Sequence, residues 1–407
     1  MNILVYDNNI GFCFALKFIL EQNKVYYFID KWDPFPELAD WSVGQGINNL
    51  IKIYDLYEGL NKADLIFFTD IGKGKTIDYL KKKGYLVFGA PKAAEELEFK
   101  KAKFYTFLKA NNLPVVETFF IKGIDNAISF FKKYKGRWYL KIDMPFRGSL
   151  STTLINDFDE AEVILNTIKS KIIPLGDQIQ FVIQRKIDGY YIGFDSFVFH
   201  GNFYPEILFG FEIDHNTVSK WCLYQDTIFF KPISIFSKFF QEIDYSGLFS
   251  LEGIFDGSKL YLVDPACRPA YPTPAPMICQ NVMNFTEFIF NNLTNKKMKL
   301  EYKSEYVSGF EVRSTFSDFL LNVVIKKSAK FWPRRLFIKD NSLYIAPTAE
   351  KNKLIGVLVG EGKNYEETFS DVEKQSDYIS CYGIEFIFNF DDFRTHIKSL
   401  KNLGILF

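Results

Sequence analysis

The sequence predicts a mixed chain: an α/β, Rossmann-like N-terminal domain with a doubly wound sheet, followed by α+β segments built on antiparallel strands. Three observations carry this. The first ninety residues alternate short apolar strands with helix-patterned segments, the βαβ arrangement of a parallel sheet. Residues 250–268, SLEGIFDGSKLYLVDPACR, set two apolar runs around Asp256-Gly257-Ser258, the pattern of a β-hairpin largely buried on both faces. At 407 residues the chain is too long for one typical core, so several subdomains are expected.

Composition narrows the function. With 48% hydrophobic and 24% charged residues the chain is globular rather than disordered. Lys plus Arg equals Asp plus Glu at 49 each, which removes the electrostatic case for nucleic acid or an anionic membrane and makes any basic site local. The 45 phenylalanines are scattered and form no stacking platform along the sequence, and they read as a nucleotide-composition bias. No apolar run reaches bilayer length and the start MNILVYDNN lacks the order of a signal peptide, so a cytoplasmic location is expected. Cys13, Cys222, Cys267, Cys279 and Cys381 share no CxxC spacing, which suggests neither a disulfide framework nor a zinc knuckle. Cys267 reads as a buried thiol. His200, His215 and His396 stand in no metal-ligand or triad spacing.

Taken in order, MNILVY reads as a strand, Gly11 to Gln22 as a helix and KVYYFI as a second strand. A looser stretch with Trp32, Pro34, Pro36 and Trp41 follows. ADLIFFTD is then a third strand, Thr76 to Lys83 a helix, and YLVFG a short strand. Ligands are expected beyond the carboxyl ends of such strands. Gly72-Lys73-Gly74-Lys75-Thr76 opens a helix, but Thr69 stands where a P-loop needs its first glycine. That loop reads as an anion-holding turn or a solvated basic one. Asp7 to Gly11 (DNNIG) lacks the glycine triplet of a dinucleotide fingerprint, which disfavours a dehydrogenase.

The hairpin carries a carboxylate on each strand, Glu252 and Asp264. A three-residue loop (Gly257 to Lys259) or a five-residue one sets them face to face, whereas a two-residue Asp-Gly turn puts them on opposite faces. Face to face at about 4 Å, two ionised carboxylates repel by ~4 kcal/mol at an effective dielectric near 20. A cation therefore belongs between them. Mg²⁺ fits, because its shell of hard oxygens leaves room for water and phosphate; lysine partners are the alternative. Arg268, four residues past Asp264, is placed to reach an anion beside such a metal.

Residues 88–117, FGAPKAAEELEFKKAKFYTFLKANNLPVVE, resemble the entry to the ATP-grasp domain of the phosphoribosylamine–glycine ligase (glycinamide ribonucleotide synthetase) family, with its Phe-Gly-Pro-x-Lys-Ala-Ala-x-x-Leu-Glu run. ADLIFFTD and GYLVFG are placed as in that family, and the resemblance extends over residues 63–268. It is poor between 190 and 245, where HNTVSKWCLYQD does not match the family's Gly-Asp-x-Gly-Pro-x-Thr-Gly stretch. The substrate therefore does not transfer.

The resemblance implies three domains: an N-terminal pre-ATP-grasp domain over 1–95, an ATP-grasp domain with two β-lobes over 96–295 (ATP lobe about 113–187), and a smaller C-terminal α+β domain over 296–407 that folds back on the active site. It implies ATP and Mg²⁺ as cofactors. Lys101 becomes the first ATP-contacting lysine, with Lys100 and Lys103 as neighbouring registers. Lys141, near the end of the strand Trp138 to Ile142, becomes the second. Gly148 and Ser149 belong to the Gly/Ser/Thr loop that closes over the triphosphate. Gln184, Arg185 and Ile187 present backbone groups to the adenine. Glu252 and Asp264 hold the metal, and Arg268 stabilises the anionic intermediate. Gln184 in place of glutamate, Tyr190 or Tyr191 in place of a ribose-binding acid, and Ala266 in place of asparagine depart from the family pattern.

The implied activity is that of an ATP-dependent carboxylate–amine ligase, purine-biosynthesis-like in its chemistry. A small-molecule carboxylate attacks the γ-phosphoryl group to give an acyl phosphate and ADP, and an amine displaces phosphate to form an amide. Such catalysis rests on positioning and charge neutralisation, without a side-chain nucleophile. The oligomeric state is open between monomer and homodimer. The competing reading is a catalytically silent nucleotide-binding or interaction protein, supported by Gln184 and Ala266. Beyond the hairpin, RPAYPTPAPM reads as a stiff connector, Val282 to Leu293 as a helix, Tyr306 to Ile325 as mixed strand and helix, and LIGVLVGEGKNYEETFSDVEKQSDYI as strand, turn and acidic-started helix.

Overall fold

A computed structural model describes residues 1–8, 10–30, 42–142, 152–171, 178–348 and 353–405. The chain forms two compact units, a larger one of residues 1–94, 192–250 and 266–407 and a smaller one of residues 95–191 and 251–265. The architecture is mixed α/β, with one parallel sheet and several antiparallel ones.

In the larger unit the parallel sheet runs in the order Leu50–Ile53, Lys24–Ile29, Asn2–Asp7, Leu65–Phe68, Val87–Phe88. Strand alternation divides Asn2–Asp7 between two cores: Ile3 and Val5 join one, Leu4 and Tyr6 the other. Four of these strands match the sequence reading. The fifth, Leu50–Ile53, was not expected, nor was the short helix Leu56–Leu60 behind it. Asp7 is fully buried at the end of the central strand; its carboxylate accepts from the backbone N–H of Gly11 (2.8 Å) and Ile10 (3.1 Å), from Tyr27 Oη (2.6 Å) and from Thr69 Oγ1 (2.7 Å). Asp7 thus ties the end of strand Asn2–Asp7 to Ile10 and Gly11 at the start of helix Phe12–Leu20. The basic loop opens helix Gly74–Lys82, and Lys73 Nζ lies 2.5 Å from Asp30 Oδ2.

The longer of the antiparallel sheets in this unit includes the order Tyr190–Phe199, Glu206–Ile213, Asn216–Leu223, Tyr306–Ser314, Leu354–Gly362, Phe331–Pro333. The region expected to mix strand and helix holds two strands, Tyr306–Ser314, buried along most of its length, and Leu321–Ile325, whose residues alternate in burial. The proline-rich run is no mere connector: Pro274 starts a helix, Pro274–Asn281, at a position where a missing N–H costs nothing. The next helix begins at Phe285 rather than Val282. Phenylalanines scattered in sequence converge here, with Phe14, Phe18 and Phe67 all in ring contact with Phe285. They fill a core.

The smaller unit holds a four-stranded antiparallel sheet in the order Thr118–Lys122, Gln180–Arg185, Trp138–Ile142, Thr152–Ile155, with helices Ile124–Lys133 and Phe158–Lys171. Trp138, Leu140, Ile142, Phe181 and Ile183 share one face and form a core with Phe130, Phe131 and Leu165 from the helices. Along residues 180–191, QFVIQRKIDGYY, strand pairing ends at Arg185 and a new strand begins at Tyr190. Strands Gly247–Phe255 and Leu260–Ala266 are sheet neighbours, and their residues 251–265 belong to this unit.

Candidate functional site

Period-two alternation decides what the smaller unit offers on its other face. Where Trp138, Leu140 and Ile142 enter the core, Tyr139 and Lys141 turn the opposite way; Gln184 does the same between Ile183 and Arg185. In register, Tyr139 pairs with Gln184, and Lys141 with Thr152. These side chains line a cavity of about 140 Å³ together with Ile187, Tyr191, Glu252 and Asp264.

Helix Lys101–Ala110 supplies the next parts. Its buried side chains are Phe104, Tyr105 and Leu108, so Lys101, four residues before Tyr105, shares the Tyr105 side of the helix. Lys101 forms an ion pair with Asp264. Its two neighbours turn elsewhere: Lys100 and Lys103 bind Glu96 at 3.1 and 2.9 Å and hold that carboxyl down to about 2. Tyr105 is fully buried. Its hydroxyl points at Gln184 Oε1 (2.8 Å) and at the Val263 carbonyl (2.9 Å), and it accepts from Lys141 Nζ at 3.2 Å.

The hairpin reaches its arrangement by another route than expected. Asp256 N–H donates to the Lys259 carbonyl at 3.1 Å, which leaves only Gly257 and Ser258 at the tip, and Asp256 Oδ1 accepts from both Ser258 N–H and Lys259 N–H. Gly257 takes φ +97°, a conformation that glycine adopts without strain. Strict alternation back from this two-residue turn would separate Glu252 from Asp264. Both nevertheless line the same cavity, and both act on Lys141.

Lys141 is 7% exposed. Burial lowers the pKa of its ammonium, and the charges of Asp264, Glu252 and Tyr139 oppose that shift. Burial likewise raises the Tyr105 and Tyr191 hydroxyls, so both stay protonated donors. The cavity is therefore a partly dehydrated place lined by one ammonium group and two carboxylates, with the Lys101 ammonium paired to one of those carboxylates, and a charge there is worth more than in water. Among the described residues, no group of three or more His, Cys, Asp or Glu side chains is set to hold a metal alone.

No family model and no curated protein matches the sequence. Solved structures do. Phosphoribosylamine–glycine ligase from Thermotoga maritima superposes with a TM-score of 0.71 at 15% identity, covering 95% of this chain and 99% of its own. The biotin carboxylase from Campylobacter jejuni, as its β,γ-ATP complex, gives 0.66 at 14% identity, covering 99% and 96%. The biotin carboxylase domain of 2-oxoglutarate carboxylase from Hydrogenobacter thermophilus, in complex with MgADP, ADP and bicarbonate, gives 0.65 at 12% identity, covering 95% and 91%. These neighbours are ATP-grasp enzymes. The chain has the ATP-grasp fold.

Within that fold the remaining candidates fall as follows. Arg268 lies in the larger unit; its Nε is 3.3 Å from Asp70 Oδ1, an Nη donates to the Pro269 carbonyl at 3.1 Å, and its guanidinium lies over the Tyr271 ring. Gly148 and Ser149 lie outside the described residues. Gln184 is buried with both ends of its amide engaged, by Tyr105 and by Thr118 Oγ1 at 3.0 Å. Arg185 lines the cavity, but its guanidinium sits over the Trp138 ring at 4.7 Å and 2.7 Å from Glu117, and its backbone N–H donates to the Glu117 carbonyl. It has no backbone donor left to present to a base. Ile187 lines the cavity beyond the last strand pair. Sequence reasoning passed over Tyr105 and Tyr139; their positions four after Lys101 and two before Lys141 were the available signals.

Proposed function

We propose that this chain is an ATP-dependent carboxylate–amine ligase that activates its acid as an acyl phosphate. The observation that carries the reading is that Lys141, Glu252 and Asp264 line one cavity and that Lys101 is paired with the Asp264 carboxylate. Lys101 and Lys141 neutralise phosphate oxygens, and Tyr105 orients Lys141 through its hydroxyl. At about 140 Å³ the cavity takes one end of a nucleotide. Ile187 offers the backbone contact to the base, and Tyr191 and Ile254 give apolar walls.

The donor set fits Mg²⁺. Two hard carboxylates line the cavity, Asp264 already carries a cation in the form of the Lys101 ammonium, and a carboxylate pair leaves coordination positions for water and phosphate. Glu252 and Asp264 would hold the metal, which when bound supplies charge neutralisation to the transferring phosphoryl group. Gly148 and Ser149 close over the phosphates in this reading, and Arg268 stabilises the acyl-phosphate anion. The domain boundaries implied by the sequence belong to the same proposal.

The engagement of both ends of Gln184 favours a second reading, in which the fold binds Mg·ATP without turnover. Measuring ADP release across a panel of amino acids and small amines separates the two. The ligase reading requires release that depends on both an acid and an amine; Mg·ATP binding with no release across the panel would replace it with the silent one.

A further inference from the structure

Within the larger unit, helix Phe12–Leu20 packs on helices Pro274–Asn281 and Phe285–Leu293. Cys13, Lys17 and Glu21 stand at helical spacing along the contact. Lys17 Nζ donates to the Val282 carbonyl and pairs with Glu21 at 2.9 Å. Glu21 Oε1 accepts from the backbone N–H of Phe285 at 3.0 Å and Oε2 from that of Thr286 at 2.8 Å, so the first donors of the later helix are bound and the register of the helices is pinned. At the other end of the stripe Cys13 meets Cys279, and the two thiols are hydrogen-bonded to each other. Both are buried in one apolar core, at 5% and 1% exposed.

Two thiols already in contact on helices of fixed register need only draw their sulfurs together to the roughly 2.05 Å of a disulfide. We propose that Cys13 and Cys279 form a reversible disulfide on oxidation by a hydroperoxide, and that this bond locks the first helix to helix Pro274–Asn281. Cys13 reacts first. It lines a cavity of about 320 Å³ beside Ile10 and Tyr271, which admits a hydroperoxide, whereas burial and the neighbouring Cys13 thiol hold the Cys279 thiol well above its ordinary range and so protonated. The Cys13 sulfur attacks one peroxide oxygen: the O–O bond breaks, an S–O bond forms, and the thiol proton leaves with the other oxygen as water or alcohol. The Cys279 sulfur then attacks the Cys13 sulfur; an S–S bond replaces the S–O bond, and the Cys279 proton leaves with the hydroxyl as water. Each sulfur gives up one electron, and the peroxide takes both. The Lys17 ammonium opposes the rise at Cys279 and so assists release of its proton in the second step. A dithiol reverses the reaction, the behaviour of a transient disulfide rather than a structural one. The inference goes beyond the ligase reading and does not rest on it, since its readout is covalent and needs no turnover.

The test treats the reduced full chain with hydrogen peroxide, unfolds it in denaturant, alkylates it with iodoacetamide and maps the peptides by mass spectrometry. The expected result is three labelled cysteines instead of five, with a cross-linked peptide joining Cys13 to Cys279 and all five labels restored by prior dithiothreitol. The oxidised chain should also melt a few degrees above the reduced one. Five labels after peroxide, a cross-link between other thiols, Cys13 carried past the sulfenic acid without a cross-link, or equal melting temperatures would overturn the proposal. Cys279→Ala should instead accumulate a dimedone adduct at Cys13, and its absence from a folded variant would overturn the order of steps. Mapping of the unsubstituted chain decides the matter even where the variant fails to fold.

Discussion

Lys101 and Asp264, 163 positions apart in the chain, form an ion pair within the smaller unit. Each of the two interpretations open at the hairpin, a bridging cation or a lysine partner, is thereby met in part: the carboxylate has a lysine, and that lysine is itself a candidate phosphate ligand. The Asp264 side chain stays 48% exposed, so the pair adds little to stability. Its chemical role is accordingly the one to test. Asp264→Asn and Glu252→Gln should each reduce ADP release by at least about 100-fold while the melting temperature stays close to that of the parent. Full turnover in either variant would remove the metal role.

The three neighbouring candidate lysines, Lys100, Lys101 and Lys103, are distinguished by their partners. Lys101 faces Asp264, whereas Lys100 and Lys103 share Glu96 at the surface. Lys101→Met should raise the KM for ATP by about tenfold or more, the effect of removing one charge-assisted contact. Lys100→Met and Lys103→Met should leave it within about twofold. A larger effect at Lys103 would shift the register.

Lys141 gives a pH signature. Burial lowers its pKa from 10.5, so its positive charge is lost at a lower pH than that of an ordinary lysine. ADP release should therefore fall on the alkaline side as the ammonium deprotonates. Lys141→Arg keeps its charge throughout and should move that alkaline limb upward, even with a reduced maximal rate. A profile identical in both proteins would show that another group titrates.

In the larger unit Asp195 is 7% exposed, and burial pushes its carboxyl up to about 7 against the hydrogen bond from Ser250, with Glu212 adding to the rise. The folded state thus binds this proton more tightly than the unfolded chain does. The associated stability is fully present below about pH 4, declines as pH rises, and is gone above about pH 7. Denaturant titrations of the parent and Asp195→Asn should show a stability difference that falls by on the order of 4 kcal/mol across that window and is flat above it. A constant difference would mean that Asp195 is ionised throughout.

Much of the site was legible because it follows strand periodicity. Once Trp138 is assigned to a core, Lys141 must lie on the other face, and the same rule places Gln184 opposite Ile183. Tyr105 was not legible: a buried aromatic on a helix face reads as core filler until its hydroxyl is seen against Lys141, Gln184 and the Val263 carbonyl. Leu50–Ile53 escaped because four residues at a sheet edge, one of them a lysine, carry too little pattern. The hairpin tip was misread because the Asp256 side chain, which draws in two backbone N–H groups, shortens the loop in a way that spacing does not reveal. The position of Arg268 against Asp70 depends on contacts formed far apart in sequence.

The strand Trp138–Ile142 has one further consequence. Hydrophobic packing and the lining of the cavity share its five residues in strict alternation, so the sheet acts as a reading frame for the cavity. A point change at Tyr139 edits a single letter. Gaining or losing one residue within the strand ahead of Lys141 would instead drive an ammonium group into oil and bring an apolar side chain to the cavity, so the frame tolerates substitution but not a shift.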